Sequence, residues 1–81
     1  MDLDKFTIFE RVATLVSEQL DFERDKIELD TSFEEIDADS LDILELMMTL
    51  EEEFGLEVED EEVGNIETVG YLVDYIREHT S

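Results

Sequence analysis

The stretch Ser40-Leu41-Asp42-Ile43-Leu44-Glu45-Leu46-Met47-Met48-Thr49-Leu50-Glu51-Glu52-Glu53-Phe54-Gly55 decides the fold. It reads as one helix from Ser40 to Phe54, stopped by Gly55. At about 100° per residue its apolar side chains separate into two groups. Ile43, Leu46, Met47, Leu50 and Phe54 share one side and can face a core. Leu41, Leu44 and Met48 lie on the opposite side, ringed by Asp42, Glu45 and Glu52. In so small a domain no further layer is left to cover them. An apolar stripe with an acidic rim suits docking to a basic groove. The alternative is a helix buried all round in a tighter bundle.

Working outward from that helix, the whole chain has 81 residues, the size of a single domain over 1–81. A domain of this length hides only about 60% of the surface its unfolded chain exposes, so the core is thin. There are 26 Asp and Glu against 5 Lys and Arg, a formal charge of −21. That balance argues against nucleic acid, whose phosphates need cations opposite them. It argues equally against an anionic membrane surface, and it favours proteins with basic patches. With 42% of residues hydrophobic, a folded chain is expected in spite of the charge. No apolar run approaches the roughly 20 residues that span a bilayer. The opening Met1-Asp2-Leu3-Asp4-Lys5-Phe6 lacks the basic start and apolar stretch of a leader, which predicts a cytoplasmic protein.

There is no proline and there are only three glycines, so helix is favoured over a turn-rich β fold. A first helix is predicted over residues 7–20, with Thr7 as cap and Glu10 reaching back to it. Phe9, Val12, Val16 and Leu20 form its apolar stripe, with Ala13 on the same side. Residues 21–39 form a long loop, pinned to the bundle by Phe22, Ile27, Leu29, Phe33 and Ile36. A short helical turn is predicted over residues 60–63. A last helix over residues 69–79 has Thr68 as cap and Val69, Leu72, Val73 and Ile76 as its inward stripe. The fold class is all-α: a small bundle of three main helices and one short one.

Ser40 is the chemical question. It reads first as the N-cap of its helix, a role in which serine is among the best residues. A helix N-terminus also favours an attached phosphate. A nucleophile that activates itself needs a base, and the only histidine, His79, lies at the far end of the chain. No catalytic residue is therefore assigned; Ser40 suits an acceptor on which another enzyme acts. A calcium loop beginning at Asp37 fails, because Leu41, Asp42 and Met48 fall where an oxygen ligand, a glycine and a glutamate are needed. No metal site is assigned. With no cysteine, thiol chemistry on the chain itself is excluded.

The run Asp39 to Gly55 resembles the acyl carrier proteins of bacterial type II fatty acid synthesis, whose pattern is D-S-L-D-x-V-E-L-V-M-x-L-E-E-E-F. The resemblance extends to Glu10-Arg11-Val12, Glu18-Gln19-Leu20, Ser32-Phe33, Asp60-Glu61-Glu62 and Ile66-Glu67-Thr68-Val69, covering nearly the whole chain. It implies a four-helix bundle, no enzymatic activity, and a carrier of growing acyl chains as thioesters. The cofactor it implies is 4′-phosphopantetheine, attached covalently to Ser40 from coenzyme A by a holo-carrier synthase, a phosphopantetheinyl transferase. Asp39 belongs to the same motif. Leu41, Asp42, Leu44, Glu45, Met48 and Glu52 align with or frame the family's docking helix for basic-patched synthesis enzymes and acyltransferases. Phe33, Leu46, Met47, Leu50, Phe54 and Ile66 are the candidate lining of an acyl pocket. The protein is expected to be a monomer that does not insert into membranes. Where the family has S-F-x-E-D-L-G-A-D-S-L, the run from Ser32 to Leu41 is one residue shorter, and Asp37 stands for the glycine. Val58-Glu59-Asp60-Glu61 lacks the proline of the family's I-P-D-E. These departures leave open a dedicated carrier for a polyketide, lipid-modifying, aminoacyl or peptidyl pathway. Outside that class the alternative is a non-covalent acidic interaction module.

Overall fold

The computed structural model describes residues 4–80. Residues 1–3, on which part of the leader reading rests, and residue 81 lie outside the described residues. The order is α1 (Lys5–Leu20), a 3₁₀ turn (Arg24–Lys26), α2 (Ser40–Phe54), α3 (Asp60–Val63) and α4 (Val69–Thr80). The expected all-α bundle of three long helices and one short one is present.

α1 begins two residues before the predicted start. Asp4, not Thr7, is its cap: the Asp4 carboxylate accepts from the Thr7 N–H at 2.7 Å. Aspartate ranks above threonine as a cap, and Ile8, which the predicted stripe omitted, lies on the inward face. The buried face is Ile8, Val12, Ala13 and Val16, while Phe9 and Leu20 sit half-buried at its margin. Hydrogen bonding from Thr7 holds the Asp4 carboxyl below its ordinary 3.8. α2 ends where glycine is needed: Gly55 takes φ 66, and its N–H donates to the Glu51 carbonyl. α4 has the expected cap, Thr68 Oγ1 accepting from Tyr71 N–H at 3.1 Å. Its predicted stripe of Val69, Leu72, Val73 and Ile76 is fully buried.

α1 packs chiefly on α4 and less extensively on α2. The long connection is held by two means. Ile27, Phe33 and Ile36 insert into the core as side chains. Backbone bonds stitch its second half to the start of α4: Phe33 N–H to Glu67 O at 2.9 Å, Val69 N–H to Thr31 O at 3.0 Å and Gly70 N–H to Leu29 O at 2.7 Å. Leu29 corrects the expectation that its side chain pins the loop, since that side chain is 41% exposed and its carbonyl makes the contact. Gly70 permits this approach, because a Cβ there would stand 2.8 Å from the Leu29 oxygen.

Candidate functional site

The site is the turn that feeds α2. Phe33 is buried and anchors it, and the Ala38 N–H donates to the Phe33 carbonyl at 3.1 Å. Between them Asp37 takes φ 64, in the left-handed region. Aspartate enters that region more readily than most side chains because its short polar group can bond locally.

Ser40 is not the cap of α2. Asp39 is extended (φ −90, ψ 179), and its Oδ1 accepts from the Asp42 N–H at 2.8 Å. Asp42 Oδ2 in turn accepts from the Asp39 N–H at 3.2 Å, closing a reciprocal capping box. Ser40 is thereby the first helical residue and is solvent-exposed. The correction has a physical reason. Asp39 and Ser40 are about equal as caps, but only the register capped by Asp39 puts a carboxylate at the third helical position to close the box.

The two faces of α2 separate as the periodicity indicates. Leu46, Met47 and Leu50 are buried, with Ile43 and Phe54 half-buried. Leu41, Leu44 and Met48 are 64%, 40% and 58% exposed. The alternative of a helix buried all round does not hold. Glu45 and Glu52 are exposed with the stripe, whereas Asp42 is half-buried and turned back to the Asp39 amide.

The candidate pocket residues are not brought together at one surface. Phe33 and Ile66 line a groove of about 430 Å³ beside the Ser40 turn, with Ala38 and Ile43 completing its apolar lining. Leu46, Met47 and Leu50 belong to the filled core, and Phe54 lies about 21 Å along the helix from Ser40. Ala38 escaped the sequence reading, and Ile43 was read as core-facing but not as part of the pocket lining. Ile43 sits one helical turn beyond Ser40, and that spacing was the available signal. Polar groups share the groove, among them Ser32, Glu34, Glu67 and Thr68.

Among the described residues no cluster of three or more His, Cys, Asp or Glu is placed to hold a metal ion. None of the described helices is long and apolar enough to cross a membrane. Residues 10–76 match the family model described as "Phosphopantetheine attachment site". The acyl carrier protein of Lactobacillus johnsonii is 44% identical over 73 residues, covering 89% of this chain and 91% of that one. The acyl carrier protein of Clostridium acetobutylicum is 45% identical over 74 residues, covering 90% and 96%. Among solved structures, the acyl carrier protein of Thermotoga maritima superposes with TM-score 0.82 at 28% identity, over 93% of this chain and 88% of that one. The acyl carrier protein of Enterococcus faecalis gives 0.80 at 35% identity, over 95% and 99%.

Proposed function

Since the chain belongs to the phosphopantetheine-attachment family, we propose that it is an acyl carrier whose arm is attached at Ser40, serving fatty acid synthesis. It is a carrier rather than a catalyst. The observation that carries the attachment reading is Ser40 itself, an exposed hydroxyl at the first position of α2 within the matched region. The 4′-phosphopantetheine arm supplies the thiol that holds acyl groups as thioesters, a group this chain lacks because it has no cysteine.

The residues present fit such an arm. A phosphodiester on Ser40 stands at a helix N-terminus, where free amides and the dipole favour an anion by about 0.3–1 kcal/mol. With no histidine or lysine next to Ser40 in sequence to activate it, the phosphopantetheinyl transferase provides the activation. Basic-patched synthesis enzymes and acyltransferases then dock on Leu41, Leu44 and Met48, steered by Glu45 and Glu52. The groove formed by Phe33, Ala38, Ile43 and Ile66 gives an acyl chain its entry. Leu46, Met47 and Leu50 line the space it opens as it enters the core. Each buried CH₂ gains about 0.8 kcal/mol, so eight gain roughly 6 before packing and ordering costs. The protein works in the cytoplasm as a monomer, its charge of −21 opposing self-association.

Incubation with coenzyme A, Mg²⁺ and a broad-specificity transferase is expected to add one arm per chain by intact mass, and Ser40→Ala to abolish the addition. A wild-type chain left unmodified by a demonstrably active transferase would refute the assignment. The shortened turn with Asp37 at positive φ favours a second reading, a carrier dedicated to another pathway. The cargo on protein purified from its native host decides between the two.

A further inference from the structure

The groove beside the Ser40 turn joins two kinds of chemistry. Phe33, Ala38, Ile43 and Ile66 give it an apolar floor, while Glu34 and Glu67 line it as exposed side chains. The backbone brings the two glutamates together across 33 positions of sequence. The Phe33 N–H donates to the Glu67 carbonyl at 2.9 Å, beside the isolated bridge between Ser32 and Thr68. Nothing positive offsets them. Residues 27–76 contain no Lys or Arg, and among the described residues no ion pair includes either side chain. Most amides of the lining are spent as well: those of Phe33, Ala38 and Ile43 bond the carbonyls of Glu67, Phe33 and Asp39. Ser32 and Thr68 already accept from the Glu35 and Tyr71 amides, leaving one hydroxyl hydrogen each.

An alkyl chain entering such a groove leaves water at a gain. A chain that ends in a carboxylate meets, in addition, two like charges with no cation between them. At about 6 Å, in surroundings between water and protein interior, each glutamate disfavours a second anion by roughly tenfold. We propose that this groove sorts the arm's cargo by charge, admitting neutral acyl chains and leaving carboxylate-bearing ones in solvent, with Glu34 and Glu67 as the selecting residues. The inference rests on Ser40 carrying the arm and on the groove being the entry for the chain. A neutral chain is then sheltered, whereas a carboxylate-bearing unit stays where a partner enzyme can reach it.

An apolar floor alone also disfavours a carboxylate, so the test holds that cost fixed. The full chain carries octanoyl, suberoyl or the methyl ester of suberoyl on its arm, in wild type and in Glu34→Gln/Glu67→Gln. Loading is confirmed by intact mass. Entry is read, at neutral pH and low salt, as protection of the thioester from hydroxylamine and as shifts of the Ile43 and Ile66 amide signals. In wild type the free acid is expected to enter at least tenfold less than its ester. In the double variant that gap is expected to narrow by about tenfold, because desolvation is common to both proteins and cancels in the comparison. An 8-aminooctanoyl load is expected to move the other way, entering less in the variant than in wild type. A gap between acid and ester unchanged by the substitutions, or acid and amine shifting in the same direction, would overturn the proposal. Octanoyl left unprotected in wild type would overturn it together with the groove as entry. A wild-type chain that takes no arm would overturn the attachment reading on which both depend.

Discussion

Replacing Gly70 with alanine sets two local effects against each other, and the structure says which wins. Gly70 lies in the first turn of α4, where alanine is the better helix former by up to about 1 kcal/mol. Against that, its added Cβ would stand 2.8 Å from the Leu29 carbonyl oxygen and 3.5 Å from the Leu29 Cβ. The obstacle is backbone, so it cannot rotate away. The strap must retreat, stretching the 2.7 Å bond from Gly70 N–H to Leu29 O. Overpacking of this kind costs about 1–3 kcal/mol, and a weakened hydrogen bond about 1 kcal/mol more. After the propensity gain the net destabilisation is about 2 kcal/mol. For a domain of this size that lowers Tm by roughly 8–16 °C. The assay is thermal melting by circular dichroism, with a urea titration to confirm the sign. Gly64→Ala is the control: there the nearest atom is the Glu61 oxygen at 3.8 Å and the change should be nearly neutral. If Gly70→Ala melts at or above wild type, helix propensity outweighs the contact and the account of the strap is wrong.

Other outcomes follow from the same geometry. The Asp4 carboxyl is held below its ordinary 3.8 chiefly by the Thr7 N–H. Its capping contribution is therefore present in full above pH 3.8 and lost as pH falls through the lower folded value. The stability difference between wild type and Asp4→Ala should be constant from neutral pH to about 5 and shrink to nothing in stronger acid; a difference undiminished there would contradict an ionised cap. Glu45→Lys should slow association with synthesis enzymes in stopped-flow while leaving the melting curve in place, and Glu61→Lys, away from the exposed stripe, should do less. Equal slowing at both sites would reduce the effect to bulk charge. Loading the holo protein with acyl chains of increasing length should raise Tm stepwise, and melting independent of chain length would count against burial of the cargo.

How much of this was legible in the sequence depended on whether side chains or backbone carried the information. The two-faced α2 and the stripe of α4 were readable because each buried position repeats at three or four residues and each end has its own signal, Gly55 in one case and Thr68 in the other. α1 was misjudged by two residues because Asp4 and Thr7 are both cap residues and Asp4 takes the role, while Ile8 and Phe9 are adjacent and either can lead a stripe. Phe9, left half-buried, is covered by Arg24, whose guanidinium lies 5.2 Å from the centre of its ring while also bonding Glu10 at 2.7 Å. That contact comes from the loop, and no local period encodes it. The Asp39–Asp42 box was present in the spacing, but two good caps in succession hid which would act. The strap to α4 is built from amides and carbonyls, and it includes the isolated bridge between Ser32 and Thr68. Such bonds leave no mark on side-chain pattern except Gly70, whose small size is their one trace.

The distribution of cations connects the fold to the proposed docking face. Every Lys and Arg lies within residues 5–26 or at position 77, so residues 27–76, which carry the second part of the loop, α2 and α3, have none. Lys5 pairs with Asp74 at 3.1 Å, Arg24 with Glu10 at 2.7 Å and Lys26 with Glu23 at 3.4 Å, while Arg11 pairs with Glu53 across the α1–α2 contact. Exposed pairs of this kind add little stability, typically 0–1 kcal/mol each. Their larger effect is on the shape of the field. Positive charge is gathered along α1 and its flanks, and among the described residues the pair that reaches α2 takes Glu53 rather than Glu45 or Glu52. Glu45 and Glu52 thus keep their charge beside Leu41, Leu44 and Met48, on the helix that begins with Ser40. In the proposed docking, an approaching basic surface would be drawn to the molecule by the net charge and oriented by this asymmetry. The rate gain should therefore fade with salt over a Debye length of about 8–10 Å, whereas the apolar contact with Leu41 and Met48, once made, should not.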